Sequence, residues 1–110
     1  MKRRVPRHIR KILHETRQAL QHIYADRLKQ IILFGSYAHG DFSENSDIDL
    51  LLLLDGMEKV AAERAKYLPT ICHFSLKYDV VISAIPYDVK SFSTTHTPLT
   101  LNISKEGVAL

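Results

Sequence analysis

Over the first thirty residues, apolar side chains return every three or four positions. Val5, Ile9, Ile12, Leu13, Thr16, Leu20, Ile23 and Tyr24 fall on one face, the spacing of an amphipathic helix. Pro6 suits its opening turn, where a missing N–H leaves no partner unmet. Arg3, Arg7, Arg10, Lys11, His14, Arg17, Gln18 and Gln21 lie mainly off that stripe, and the helix is expected to end near Asp26–Lys29. The pattern then changes to a short apolar run, Ile31-Ile32-Leu33-Phe34, which reads as a strand covered on both faces and ending at Gly35. Gly35-Ser36-Tyr37-Ala38-His39-Gly40 reads as a tight turn and short helical segment closed by Gly40, and residues 41–46 as an exposed loop.

Asp47 to Asp55 reads as a second strand, with five leucines in a row at 50–54. Residues 57–68 are expected to be helical, with Val60, Ala61, Ala65 and Leu68 on one side and Pro69 at the end. A third strand is expected from Tyr78 to Ile85, stopped by Pro86, and a polar loop over 86–97. Thr97-Pro98 reads as a helix cap and first-turn proline, with Gly107 as the stop. Three strands are too few for a doubly wound sheet. The expected class is α+β, a small mixed sheet with helices packed on it, and residues 1–110 as one domain that includes a basic N-terminal helix over 1–29.

Composition narrows this picture. The 110 residues are 45% hydrophobic and 25% charged, which excludes a disordered or collagen-like chain. With Cys72 as the single cysteine, an internal disulfide cannot form and a cysteine-based zinc site is disfavoured. Cys72 itself is expected to be a small buried hydrophobe. No apolar run is long enough to span a membrane, and the basic N-terminus lacks the apolar stretch of a secretory signal, so a cytoplasmic location is expected. The net charge of +3 conceals a division. Residues 1–30 carry nine Lys/Arg and two acids, a net +7, and residues 31–110 carry six and ten, a net −4.

The candidate chemistry lies in the acidic part. Gly35 permits a sharp reversal and lets a ligand approach the backbone, and Ser36 adds a hydroxyl; taken alone, the pair reads as a plain strand-to-helix turn. Asp47 and Asp49 are two apart in a strand, so both carboxylates face one way, about 6.6 Å apart along the chain. Their repulsion calls for a cation with hard oxygen ligands, or else Asp47 simply closes the preceding turn. Asp79, ahead of the apolar Val80-Val81-Ile82, would complete a triad if strands two and three are neighbours, and is otherwise a lone exposed acid at a strand entrance. Three carboxylates suit two Mg²⁺ ions roughly 3.5–4 Å apart, an arrangement used for in-line phosphoryl displacement. The six histidines form no HExxH or Cys/His ligand spacing.

Gly35-Ser36, ten intervening residues and Asp47-Ile48-Asp49 spell G-S-x10-D-x-D within LFGSYAHGDFSENSDIDLLL. This resembles the signature of the polymerase-β-type nucleotidyltransferase superfamily. The later KYDVVIS and PLTLNISKEGVAL resemble its minimal branch, the MNT-domain antitoxins. The resemblance implies that Asp47 and Asp49 hold two Mg²⁺ ions against the phosphates of ATP. It implies that Asp79 binds the metal nearer the acceptor and helps deprotonate the incoming hydroxyl, and that Gly35 and Ser36 bind the β- and γ-phosphates. It further implies transfer of AMP to a tyrosine of a HEPN-domain toxin, in a hetero-oligomeric complex, silencing that toxin's ribonuclease. Many relatives have arginine where this chain has His39.

Two other readings stand beside this one. Transfer could go to a small-molecule hydroxyl, although no second domain is evident to bind it, or an antitoxin could neutralise its toxin by binding alone. For the basic helix, a protein partner or a solvated face is favoured over nucleic acid, because no aromatic residues interleave with the arginines.

Overall fold

In a computed structural model of the protein, residues 5–43, 45–57 and 59–110 are described. Lys2, Arg3, Arg4, Glu44 and Glu58, which the sequence reading assigned to the basic arm, the loop and the second helix, lie outside them. The elements run α1 (Arg7–Tyr24), a 3₁₀ turn (Ala25–Arg27), β1 (Leu28–Phe34), α2 (Ser36–His39), β2 (Ile48–Leu54), α3 (Val60–Tyr78), β3 (Ile82–Asp88), α4 (Val89–Thr94), α5 (Pro98–Glu106) and β4 (Val108–Ala109). The strands form one mixed sheet in the order β3-β2-β1-β4. β1 is antiparallel to both β2 and β4, and β2 is parallel to β3. This is the expected α+β class, with a fourth strand that the sequence reading did not include.

The leucine run explains the layering. Every residue of β2 except Asp49 is buried. Leu50, Leu52 and Leu54 join the larger core with Ile9, Ile12, Leu20, Tyr67 and Ile71 of α1 and α3. Leu51 and Leu53 point the other way, into a smaller cluster with Ile103 of α5 and half-buried Tyr87, Val89 and Phe92. Helices therefore cover both faces of the central strand.

α1 keeps its predicted face. All of its stripe is buried except Ile23, and Arg7, Arg10, Lys11 and Arg17 are exposed. α3 departs from expectation in two ways. It continues past Pro69 to Tyr78, and its buried face is Glu63, Tyr67, Ile71 and Phe74 rather than the Val60–Ala61–Ala65–Leu68 side. Pro69 is exposed, so the carbonyl it leaves without a helical partner can face water while the packed face holds the helix together. Cys72 is exposed on this helix, against the expectation of burial.

The third strand also differs. It begins at Ile82 and runs through Pro86 to Asp88, and α4 occupies the expected loop. Ile48 N–H donates to the Val81 carbonyl, so alternate residues 83, 85 and 87 face β2 and Pro86 faces outward. On an edge strand that missing N–H costs no ladder bond. Two of the outward groups meet α3: Tyr67 hydroxyl donates to the Ala84 carbonyl, and Ile82 N–H donates to Ser75 Oγ. α5 follows the prediction, with a reciprocal Thr97–Thr100 capping box and Pro98 in its first turn.

Two polar clasps hold α3 to the rest. Glu15 of α1 accepts from Tyr78 hydroxyl at 2.5 Å and pairs with Lys77 at 3.4 Å. Near the start of α3, buried Glu63 pairs with Arg27 at 2.5 Å, and Tyr24 hydroxyl donates to the Glu63 carbonyl. The Arg27 guanidinium holds the Glu63 carboxyl below its ordinary value of 4.5. A depressed folded-state value adds stability above pH 4.5 that is lost as the pH falls through the depressed value. Arg27→Met strands a buried carboxylate, and because Arg27 is one-third exposed the expected loss is about 1–3 kcal/mol at neutral pH. Denaturant melts should show this deficit shrinking below pH 4.5; a deficit that is constant with pH would assign the effect to packing alone.

Candidate functional site

The site forms where the central strand first reaches water. Register places Phe34 opposite Asp49 on one side of β2 and Ser83 opposite Asp49 on the other. Directly paired residues share a sheet face, so Asp49, Ser83 and the end of β1 converge at one edge of the sheet. Asp47 stands just before β2 and is exposed, whereas Asp49 is half-buried. Neither carboxylate has an ion-pair partner among the described residues. Burial, and then the charge of Asp47, push the Asp49 carboxyl above its ordinary value of 3.8.

Gly35 has a physical reason to be glycine. Its φ is +78°, in the region L side chains avoid, and a Cβ there would run into the Asp49 carboxylate. The turn after β1 is thus pressed against Asp49. Ser36 opens α2, which Gly40 closes at φ 100°. Tyr37 is buried and stacks on Phe42 with ring centroids 4.8 Å apart, so it serves packing.

Beside this turn lies an open cleft of about 390 Å³. Gly35, Ser36, His39 and Asp41 form one side, and Asn102 and Glu106 of α5 the other. His39 Nδ1 meets Glu106 Oε1 at 2.5 Å, across from Ser36. Asn102 and Glu106 were not singled out in the sequence, because they stand more than fifty residues beyond the signature and no local pattern points back to it. Only the return of α5 and β4 onto β1 brings them here.

The structure thus brings Gly35, Ser36, Asp47 and Asp49 together. It does not gather Asp79 with them. Asp79 caps the end of α3 in the left-handed region (φ 54°), exposed and three residues ahead of β3. Among the described residues no three His, Cys, Asp or Glu side chains are grouped closely enough to hold a metal ion, so the expected Asp47–Asp49–Asp79 triad is not assembled. The physical reason is the extension of α3 past Pro69, which takes the Asp79 segment into a helix end. Lys77 pairs with Glu15, away from the acids.

The donor set still fits a divalent cation. Two carboxylates stand close together at the start of β2, Asp49 is raised in pKa by burial and then by Asp47, and neither has an ion-pair partner among the described residues. No helix among those residues is long and apolar enough to cross a membrane.

Comparison with known proteins bears on the family and the fold. The family model described as a nucleotidyltransferase domain matches residues 9–108. A Methanocaldococcus jannaschii protein named "putative protein adenylyltransferase" is 42% identical over 76 residues, covering 69% of this chain and 76% of that protein. A crystal structure of a toxin–antitoxin with AMP-PNP superposes with a TM-score of 0.61 at 20% identity, over 86% of this chain and 69% of the other. The MntA-HepT toxin–antitoxin gives a TM-score of 0.55 at 17% identity, over 90% and 69%. At those identities the superpositions speak to the fold.

Two outcomes follow from the crowding at Asp49. Its raised folded-state value means that ionisation costs stability, a cost absent below pH 3.8 and complete above the raised value. Asp49→Asn should therefore raise the unfolding temperature at neutral pH without added metal, with the gain vanishing below pH 3.8; no gain at neutral pH would contradict the buried charge. Gly35→Ala should cost about 1–2 kcal/mol from its backbone conformation alone, and more because the methyl displaces the Asp49 carboxylate. An alanine variant melting with the wild type would refute the close approach.

Proposed function

The chain belongs to the nucleotidyltransferase domain family, and we propose that it transfers AMP from ATP to a tyrosine hydroxyl of a partner toxin carrying a HEPN domain, thereby inactivating it. The observation that carries the reading is Asp49 set directly against Gly35, with Asp47 beside it, at the start of β2 where the strand meets water. The name of the Methanocaldococcus jannaschii relative supports protein as the acceptor, and the toxin–antitoxin folds support a toxin.

In this reading Asp47 and Asp49 hold Mg²⁺. When bound, the metal supplies positive charge that screens the phosphates and stabilises charge developing in transfer. Gly35 leaves room for a phosphate to approach the backbone, and Ser36 offers its hydroxyl and N–H to the β- and γ-phosphates. The acceptor oxygen attacks the α-phosphorus, the bond to the α–β bridging oxygen breaks, and pyrophosphate leaves in line. Asp79 stands outside the pair, so the reading gives it no place at the metal, and the hydroxyl proton passes to solvent. The exposed basic face of α1, with Arg7, Arg10, Lys11 and Arg17, is the surface we assign by charge complementarity to an acidic face of the partner.

The test incubates the protein with its candidate toxin, Mg²⁺ and ATP labelled on the α-phosphate. Wild type should label a toxin tyrosine, and Asp47→Asn and Asp49→Asn should each lower the rate by at least about a hundredfold. Asp79→Asn should slow labelling less than either. Wild type that leaves the toxin unlabelled, or an Asp47→Asn/Asp49→Asn protein that still labels it, would remove the enzymatic reading. Full neutralisation of the toxin by that double variant would favour binding alone.

A further inference from the structure

The cleft beside the Gly35–Ser36 turn has a second wall, and that wall is pinned in place. Glu106 ends α5, and the next residues are sewn onto β1 by the pairs Leu33–Val108 and Ile32–Ala109. Between them, Gly107 passes so close that a Cβ would stand 2.5 Å from Ile32 Cγ2 and 2.6 Å from the Ile103 carbonyl oxygen. His39 is fixed from the other direction, on the short helix that leaves the same β1 strand through Gly35. Both members of the Glu106–His39 pair are therefore indexed to one strand, and their 2.5 Å contact is set by the fold.

The contact engages Nδ1 of His39. A carboxylate on that side leaves Nε2 as the ring nitrogen available to a ligand, and in the doubly protonated ring both nitrogens donate. The other charged residue lining the cleft is Asp41, so His39 is its one side chain able to offer an anion a positive charge, among the described residues. We infer that Glu106 is a positioning residue: it holds His39 by Nδ1 so that Nε2 is presented beside Ser36 to the phosphates of the nucleotide. This rests on the proposed reading of the Gly35–Ser36 turn, which lines the cleft, as the phosphate site. Glu106 touches no reacting atom in this assignment; it acts through the imidazole.

Equilibrium binding of AMP-PNP with Mg²⁺ separates the possibilities. The pair is exposed and adds little to folding, so the variants should melt close to wild type. His39→Ala and Glu106→Ala should each raise the Kd about tenfold, the effect of losing one charge-assisted contact. Glu106→Gln, which still accepts from Nδ1–H, should keep most of the affinity. In the His39→Ala background, Glu106→Ala should change the Kd little further. Losses that multiply to about a hundredfold in the double variant would overturn the coupling, as would an unchanged or tighter Kd in Glu106→Ala. Wild type that binds no AMP-PNP would remove the nucleotide reading and this inference together; wild type that binds while Glu106→Ala is silent removes this inference alone.

Discussion

The burial of β2 on both faces is the constraint from which the rest follows. Five leucines in a strand flanked by β1 and β3 leave no side chain of residues 50–54 in water. Helices must cover both faces, α1 and α3 on one and α4 and α5 on the other. The strand can then carry polar chemistry only at its ends, since an unpaired carboxylate among those leucines would be prohibitively costly. Asp47 and Asp49 stand at its first exposed positions. The core thus determines where the site can be as well as how stable the fold is.

The same constraint organises the surroundings of the acids. β1 runs antiparallel beside β2, so its last residue, Phe34, falls opposite Asp49, and the turn leaving it must pass over the carboxylate. That passage is possible only without a Cβ, which ties Gly35 to Asp49 through sterics. β4 joins the free side of β1 and returns the end of α5 to the same corner. A chain of 110 residues has little mass with which to build a pocket. Here three of its connections meet at the end of one strand.

Much of this was legible in the sequence. The α1 stripe, the two strands around the signature, the Thr97-Pro98 cap and the acid pair were carried by local patterns strong enough to survive in three dimensions. What was misread involves proline and helix faces. Pro69 was taken as a stop and Pro86 as the end of a strand, because a proline lacks a donor wherever it stands. Its cost depends on whether that donor would have made a structural bond: Pro69 is exposed, and buried Pro86 has its ring nitrogen on the side of β3 away from β2, where no ladder bond is lost. Glu63 misled in the opposite sense. A glutamate on a buried face looks like a surface residue until Arg27, thirty-six positions earlier, is seen to neutralise it. The misplacement of Asp79 follows from Pro69, since ending the helix early left the intervening residues free to be drawn into the strand.

The charge division of the chain acquires a meaning from these positions. The basic excess is displayed on the outer face of α1, while Asp41, Asp47, Asp49 and Glu106 gather around the cleft and the strand end. A nucleoside triphosphate entering such a place alone would meet like charge at short range, an interaction strengthened where Asp49 is partly withdrawn from water. His39 stands among these acids and is already engaged by Glu106. Affinity for a polyphosphate at this corner must therefore come from cations brought with it and from the uncharged donors of the Gly35–Ser36 turn. A site of this kind discriminates by charge balance. On the proposed reading, such a site would disfavour the free nucleotide against its metal complex, and the arginines of α1 would stay free for a partner instead of being committed to the substrate.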